Sequence, residues 1–340
     1  MKNNMISYLL KHRAFPDTAA RPQLIETHIS WVILTDRYVF KIKKPVRYEF
    51  LDFTQLDQRK YFCEEEVRLN SRFSKGIYLG VLPIRNINSG WELGGKQGKI
   101  VEYAVCMKRL KGQYHMPHML KQNRVNPQHM EDLASQLVEF HRYARIVPNQ
   151  DTKTHLKSDF AGLLSFISSF DRTEQDIIKK ASLSLDSFIA KHPSLFHWRV
   201  KQGWIRDCHG DLHAGNIFLQ HPPIVFDCIE FNTDFREIDI LNDLAFLCME
   251  LDFAGKNDLA GVFIQAYLTH FPVMHSPQEE ELFLYYKMYR ANVRAKVHLL
   301  NYLEEKENGH GQYAFLKAQK YIALMDTYLE ELARKSHICV

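Results

Sequence analysis

The sequence predicts an α+β chain built as two lobes, and three observations carry that expectation. Its first third is rich in clustered Val, Ile, Phe, Tyr and Trp, as strands are. The remainder shows long apolar periodicities of helical spacing. One compact non-helical island, residues 204–231, interrupts those helices.

In chain order, residues 29–43 (ISWVILTDRYVFKIK) break at Thr35-Asp36 and read as a hairpin. A helix follows from about Thr54 to Phe73, with Leu56, Phe62, Cys63, Leu69 and Phe73 as its apolar positions. Strands are expected near 80–87 and 100–107, separated by a Gly-rich turn from Gly90 to Gly98. This gives a mixed β-sheet lobe with one main helix over residues 1–110. Residues 111–340 form a larger, mostly helical lobe, with helices expected at 127–145, 158–170, 173–191, 236–253, 257–270, 278–304 and 310–335. Two such lobes imply a cleft, where ligands tend to bind.

Composition sets the outer bounds. The 340 residues, 46% hydrophobic and 25% charged, are those of an ordinary globular chain, long enough for a large core. A net charge of +4 is small beside 44 basic and 40 acidic side chains; it suits an anionic ligand such as a nucleotide, without the basic tract that nucleic-acid binding needs. The six cysteines form no CxxC pair, and no apolar run approaches 18 residues, so neither a disulfide framework nor a membrane span is expected. A reducing cytoplasm is the expected location; oligomeric state is not readable.

The island holds the chemistry. In His209-Gly-Asp211-Leu-His213-Ala-Gly-Asn216 an Asp and an Asn stand five positions apart on one loop. Ile217-Phe-Leu219 then reads as a strand, Gln220-His-Pro-Pro223 as a turn, and Ile224-Val-Phe226 as a second strand ending in Asp227. Antiparallel pairing about that turn brings Asn216 and Asp227 to the same open end. Two oxygen donors there suit Mg²⁺, which keeps its other positions for water and phosphate. Asp211, on the same loop but free of the metal, is suited to orient an acceptor hydroxyl and take its proton, since phosphoryl transfer asks mainly for positioning. The plain alternative is a polar turn whose Asp and Asn bond their own backbone.

HGDLHAGN followed by IVFDCIEFN resembles the catalytic segment of the aminoglycoside phosphotransferase and choline kinase-like family, above all a bacterial aminoglycoside phosphotransferase-like subgroup of unsettled substrate. The resemblance runs from about Ile25 to about Leu300. It implies a bilobal protein-kinase-like fold, Asp211 as catalytic base, Asn216 and Asp227 as Mg²⁺ ligands, and His209 as a structural brace. Asp243 resembles a residue that braces the catalytic loop; a first-turn carboxylate favoured by the helix dipole is the alternative. Some members carry a further P-loop domain, whose G-x4-G-K-[ST] motif this sequence lacks.

A kinase-like fold also needs a cation for the ATP phosphates. In YVFKIKK alternation puts Val39, Lys41 and Lys43 on one strand face; Lys41 matches the VAIK-type lysine, with Lys43 as fallback and a solvated edge strand as the plain alternative. Glu66 shares a helix face with Phe62, Cys63 and Leu69 and is the expected partner of Lys41, with Glu65 as the neighbouring possibility. Thr27-His-Ile-Ser30 would cover the phosphates without a Gly-rich motif, Ser30 serving as a donor, and residues 100–110 resemble the hinge that receives adenine. Arg290 and Arg294, with Tyr286, make a stripe that either reaches an anionic acceptor or is a solvated helix face.

The expected activity is transfer of the γ-phosphoryl of ATP, with Mg²⁺, to a hydroxyl of a small polar molecule such as a sugar, amino alcohol or aminoglycoside-like compound. Two other classes compete: a nucleotide-binding regulator that no longer catalyses, and a metal-dependent hydrolase built on His209, Asp211 and His213. The latter lacks the helical H-E-x-x-H arrangement.

Overall fold

A computed structural model describes residues 2–17, 22–88, 90–148, 152–305 and 311–338. The chain packs into two compact units. One runs through His118 and takes back Asn216–Phe235; the other holds Met119–Gly215 and the chain from Arg236 onward.

In the first unit, α1 (Lys2–His12) precedes β1 (Gln23–Glu26), β2 (Ser30–Leu34), β3 (Tyr38–Lys43) and a short hairpin of β4 (Arg47–Tyr48) with β5 (Leu51–Asp52). Then come α2 (Leu56–Asn70), β6 (Tyr78–Ile87), β7 (Gly90–Leu93) and β8 (Lys99–Lys108). Six strands form one sheet in the order β1-β2-β3-β8-β6-β7. Every pairing in it is antiparallel, which corrects the expected mixed sheet. The reason is topological: β8 inserts between β3 and β6, so no two strands of like direction are neighbours. The expected Gly-rich turn also contains a strand, β7, which pairs with the end of β6.

Alternation along β3 decides what each sheet face does. Phe40 and Ile42 point into a core with Trp31, Ile33, Ile84 and Ala104 that α1 covers through Met5, Ile6 and Leu9. The opposite face packs Val39, Val105 and Met107 against Cys63 and Val67 of α2. Lys41 and Lys43 fall on this second face, as the alternation requires. On α2 the buried positions Arg59, Cys63, Glu66 and Asn70 recur at helical spacing, so a charged residue is carried inward with the apolar ones.

The segment Asn216–Phe235 returns to this unit because its backbone is tied there. The Ser74 hydroxyl donates to the Val225 carbonyl, the Cys228 N–H to Asn70 Oδ1 at 2.8 Å, and the Leu219 N–H to the Tyr114 carbonyl at 2.8 Å.

The second unit is helical around Ile240–Phe253, whose residues Ile240 to Met249 are all buried, as a helix apolar on every side must be. Helices Pro127–Tyr143, Arg172–Lys191, Asn257–His270, Pro277–Glu305 and Gln312–Ile338 answer five expected ones with small shifts. The helix expected at 158–170 instead divides into Thr152–Ala161 and a 3₁₀ segment, Leu164–Ser169; Pro193–Lys201 is an additional helix with proline in its first turn. The expected 236–253 helix starts only at Ile240, because Glu237–Asp239 pairs with the strand Ile205–Asp207 and Asp239 caps the helix, accepting from the Leu241 N–H at 2.8 Å. No helix among the described residues is long and apolar enough to cross a membrane.

Candidate active site

On the α2 face of the sheet, five charged side chains form a continuous line. Lys41 Nζ lies 2.5 Å from Asp227 Oδ1 and 2.9 Å from Glu66 Oε1. Glu66 Oε2 accepts from Lys43 Nζ at 2.7 Å, and Lys43 Nζ also bonds Glu230 Oε1. Lys43, Glu66 and Glu230 are buried, whereas the Asp227 side chain is 38% exposed. The line therefore begins inside the unit and ends at one accessible carboxylate. Buried charges persist only when paired, and every buried member here has an opposite partner. Burial opposes charge on Lys41 and Lys43, but Asp227 and Glu66 outweigh it for the first, Glu230 and Glu66 for the second, so both ammonium groups are held on. Burial likewise opposes charge on Glu66; its two lysines overcome that and lower its pKa. Glu230 bonds a single lysine, and there burial, helped by the charge on Glu66, raises the pKa.

The hairpin that delivers Asp227 has the expected construction. Ile217 pairs with Val225 and Phe218 with Ile224, and the Phe226 N–H donates to the Asn216 carbonyl at 3.0 Å. Asn216 thus faces Phe226, one residue short of Asp227, and both candidate ligands sit at the hairpin's open end. Asp227 is in the left-handed region, φ +62°, which a non-glycine residue occupies at some cost. Its own N–H donates to the Tyr78 hydroxyl at 3.1 Å, and the next N–H is the one held by Asn70. Backbone bonds on both sides fix an unfavourable turn that aims the carboxylate outward. Asn216 and Asp227 offer only oxygen to a cation, and the line with all five groups ionised carries one negative charge in excess; both facts fit a hard divalent ion.

In the second unit the loop around Asp211 is braced from below. Asp243, fully buried, accepts from the His209 N–H at 3.1 Å and the Gly210 N–H at 2.9 Å, and its Oδ2 lies 3.1 Å from His141 Nε2. Burial opposes charge on Asp243, but these partners outweigh it and lower its pKa. His141 Nδ1 in turn meets the Tyr267 hydroxyl at 3.0 Å. His209 is buried and its Nδ1 accepts from the Asp211 N–H at 3.2 Å. Asp211 itself is 36% exposed, with Oδ2 3.3 Å from His213 Nε2. His213, then His209 and Arg294, outweigh the effect of burial and hold the Asp211 carboxyl well below the ordinary range.

The structure brings Lys41, Glu66 and Asp227 into contact in the first unit, with Asn216 on the same hairpin, and Asp211, His209 and Asp243 into contact in the second. Glu65 instead pairs with Arg68 at 2.7 Å. Ser30 is fully buried, and its hydroxyl has no hydrogen-bond partner among the described residues, so it faces the protein interior and not a bound phosphate. Arg290 corrects the reading of a solvated helix face: it is buried and donates to the Gly210 carbonyl at 3.0 Å and to Asn242 Oδ1 at 2.8 Å. Arg294 is the more open of the two and lies 3.2 Å from Glu250. Reading the sequence missed Glu230, His141 and Tyr78. Glu230 did carry a signal, a lone carboxylate flanked by Cys228, Ile229 and Phe231, just as Glu66 stands among apolar neighbours.

The family model described as "Phosphotransferase enzyme family" matches residues 31–279, a span that includes Lys41, Glu66, His209, Asp211, Asn216, Asp227 and Asp243 but not Ser30. An uncharacterized protein of Mycobacterium tuberculosis (strain ATCC 25618 / H37Rv) is 31% identical over 287 residues, 83% of this chain and 55% of its own length; one of Mycobacterium bovis matches equally. This chain thus spans about half the length of the curated relatives it matches. Among solved structures, a choline/ethanolamine kinase family protein from Mesorhizobium loti superposes with a TM-score of 0.52 at 14% identity, covering 96% of this chain and 99% of that one. The GDP complex of aminoglycoside 2'-phosphotransferase-IIIa does so with a TM-score of 0.53 at 14% identity, covering 95% and 99%. These likenesses establish the bilobal kinase-like fold, and with a match that runs from β2 into the helix Pro277–Glu305, the chain belongs to the phosphotransferase enzyme family.

Proposed function

We propose that this chain transfers the γ-phosphoryl group of ATP to a hydroxyl of a small polar molecule, a sugar, amino alcohol or aminoglycoside-like compound. The observation that carries the reading is the Lys41 ammonium, paired at once with Glu66 and with the part-exposed carboxylate of Asp227. That is the arrangement expected of a cation that steadies phosphates beside a metal-binding carboxylate.

In this reading residues 1–110 form the nucleotide-binding lobe and 111–340 the catalytic and acceptor-binding lobe. Lys41 bears on the phosphates, Glu66 holds Lys41, and Asn216 with Asp227 holds Mg²⁺, which supplies charge neutralisation when bound. Asp211, kept ionised, orients the acceptor hydroxyl and takes its proton. His209 and Asp243 keep the loop in shape. Ser30, first expected as a phosphate donor, is left out because of its burial. The solved relatives are named for aminoglycoside and choline or ethanolamine substrates, and one is a GDP complex; these define the acceptor classes and the second nucleotide to try.

The test is acceptor-dependent ADP release over a panel of hydroxylated metabolites, run with ATP and with GTP, beside nucleotide binding. Turnover on one acceptor class is the expected result. Nucleotide binding with no turnover on any acceptor would favour a regulator, and stoichiometric zinc in the purified protein would favour a hydrolase.

A further inference from the structure

The charged line on the sheet holds two lysines, Lys41 and Lys43, where phosphate binding calls for one. Lys43 cannot reach a ligand directly, since its side chain is 1% exposed and its ammonium is occupied by Glu66, Glu230 and the Phe53 ring 5.1 Å away. Burying this extra ion pair is costly, and apolar residues of similar size would serve stability as well or better. Its retention points to placement of something else.

What it places is Glu66. The Lys41–Glu66 contact, 2.9 Å long, is an ion pair in which Glu66 Oε1 lacks the geometry of a hydrogen bond, whereas Lys43 donates a well-formed one to Oε2 at 2.7 Å. The orientation of the carboxylate is thus set from the Lys43 side. Lys43 is fixed in turn by Glu230, three residues beyond Asp227 on a segment whose backbone is anchored at Cys228 by Asn70. Beyond Glu230, Phe231 and Phe235 pack on Phe50 of the β4–β5 turn with ring centroids 5.8 and 6.0 Å away, which ties the same segment down a second time.

Lys41 presently has two carboxylates. If Asp227 turns to a divalent cation, Glu66 becomes its sole partner, and Lys41 then keeps its place only as well as Glu66 does. We propose that Lys43 and Glu230 are positioning residues of the phosphotransfer site, holding Glu66, and through it the Lys41 ammonium, in the place that binds nucleotide phosphates. This rests on the functional reading above.

A double-mutant cycle separates positioning from simple structural support. ATP affinity is measured by calorimetry with Mg²⁺ present in the unmodified chain, Glu230→Gln, Lys41→Met and the double variant, each checked for folding by circular dichroism. Positioning through Lys41 predicts that Glu230→Gln weakens ATP binding about tenfold when Lys41 is present and by less than about twofold when it is Met. Lys43→Arg, which keeps the buried charge balance, is carried through the same cycle and replaces Glu230→Gln should that variant not fold. An equal loss in both backgrounds, or no loss in either, overturns the proposal while leaving the functional reading intact. Failure of the unmodified chain to bind ATP overturns both.

Discussion

Asp211 is where the proposed chemistry is most directly testable. Its side chain is part exposed and its carboxylate touches His213, and Asn keeps its size and shape while removing its charge. Asp211→Asn is expected to lower kcat by about 10²–10⁴-fold, the usual contribution of a general base, with nucleotide affinity within about twofold of the unmodified chain. Steady-state kinetics and calorimetry together check it; near-normal kcat would remove Asp211 from the chemistry. A pH dependence follows with a definite sign. Burial would raise the Asp211 pKa, but His213, His209 and Arg294 prevail and depress it. A depressed carboxyl stays ionised as pH falls and gives up its contribution only below the usual carboxylate range. The acid limb of kcat/KM for ATP should therefore show no loss attributable to Asp211 at pH values where ordinary aspartates protonate. An acid limb at or above the ordinary Asp value, absent from Asp211→Asn, would contradict this.

The loop around Asp211 is braced as an element by the buried carboxylate of Asp243, with Arg290 donating to the Gly210 carbonyl beside it. Asp243 receives two backbone N–H groups and faces His141, and an asparagine can accept at only one oxygen while presenting an NH₂ to the other donor. Asp243→Asn should cost about 2–4 kcal/mol in denaturant unfolding, the cost of leaving buried donors unmatched. A loss below about 0.5 kcal/mol would show the brace to be dispensable. Much of this element-level architecture could be read in advance. Alternation in YVFKIKK placed Lys41 and Lys43 on one face, helical spacing carried Glu66 inward, and the Pro-Pro turn fixed the hairpin that presents Asn216 and Asp227. What stayed hidden was pairing across distance. Nothing local marks Glu230 as the partner of Lys43, nor Arg290 as the donor to the Gly210 carbonyl, because these contacts exist only once remote segments meet. Glycines masked β7, whose pairing with β6 outweighs their weak strand propensity.

For the molecule as a whole, ligand binding and stability are one measurement. A nucleotide that binds only the folded chain should stabilise it by about 2.7 kcal/mol at a hundredfold excess over Kd. Thermal melts with ATP and Mg²⁺ should therefore rise, and the rise should be smaller in Lys41→Met, each measured against its own nucleotide-free melt. An unchanged melt of the unmodified chain across ATP concentrations would argue against any nucleotide site. The sheet unit is also discontinuous in sequence: its first stretch ends at His118, and its last begins at Asn216. On a ribosome adding about 5–20 residues per second, the interval between residues 118 and 227 lasts about 5–22 s. Throughout it, two lysine ammoniums share the single carboxylate of Glu66, since Asp227 and Glu230 have not yet been made. The nascent sheet thus waits with an unneutralised positive charge at its centre, a period in which translation speed and chaperone holding bear directly on how much protein reaches its final form.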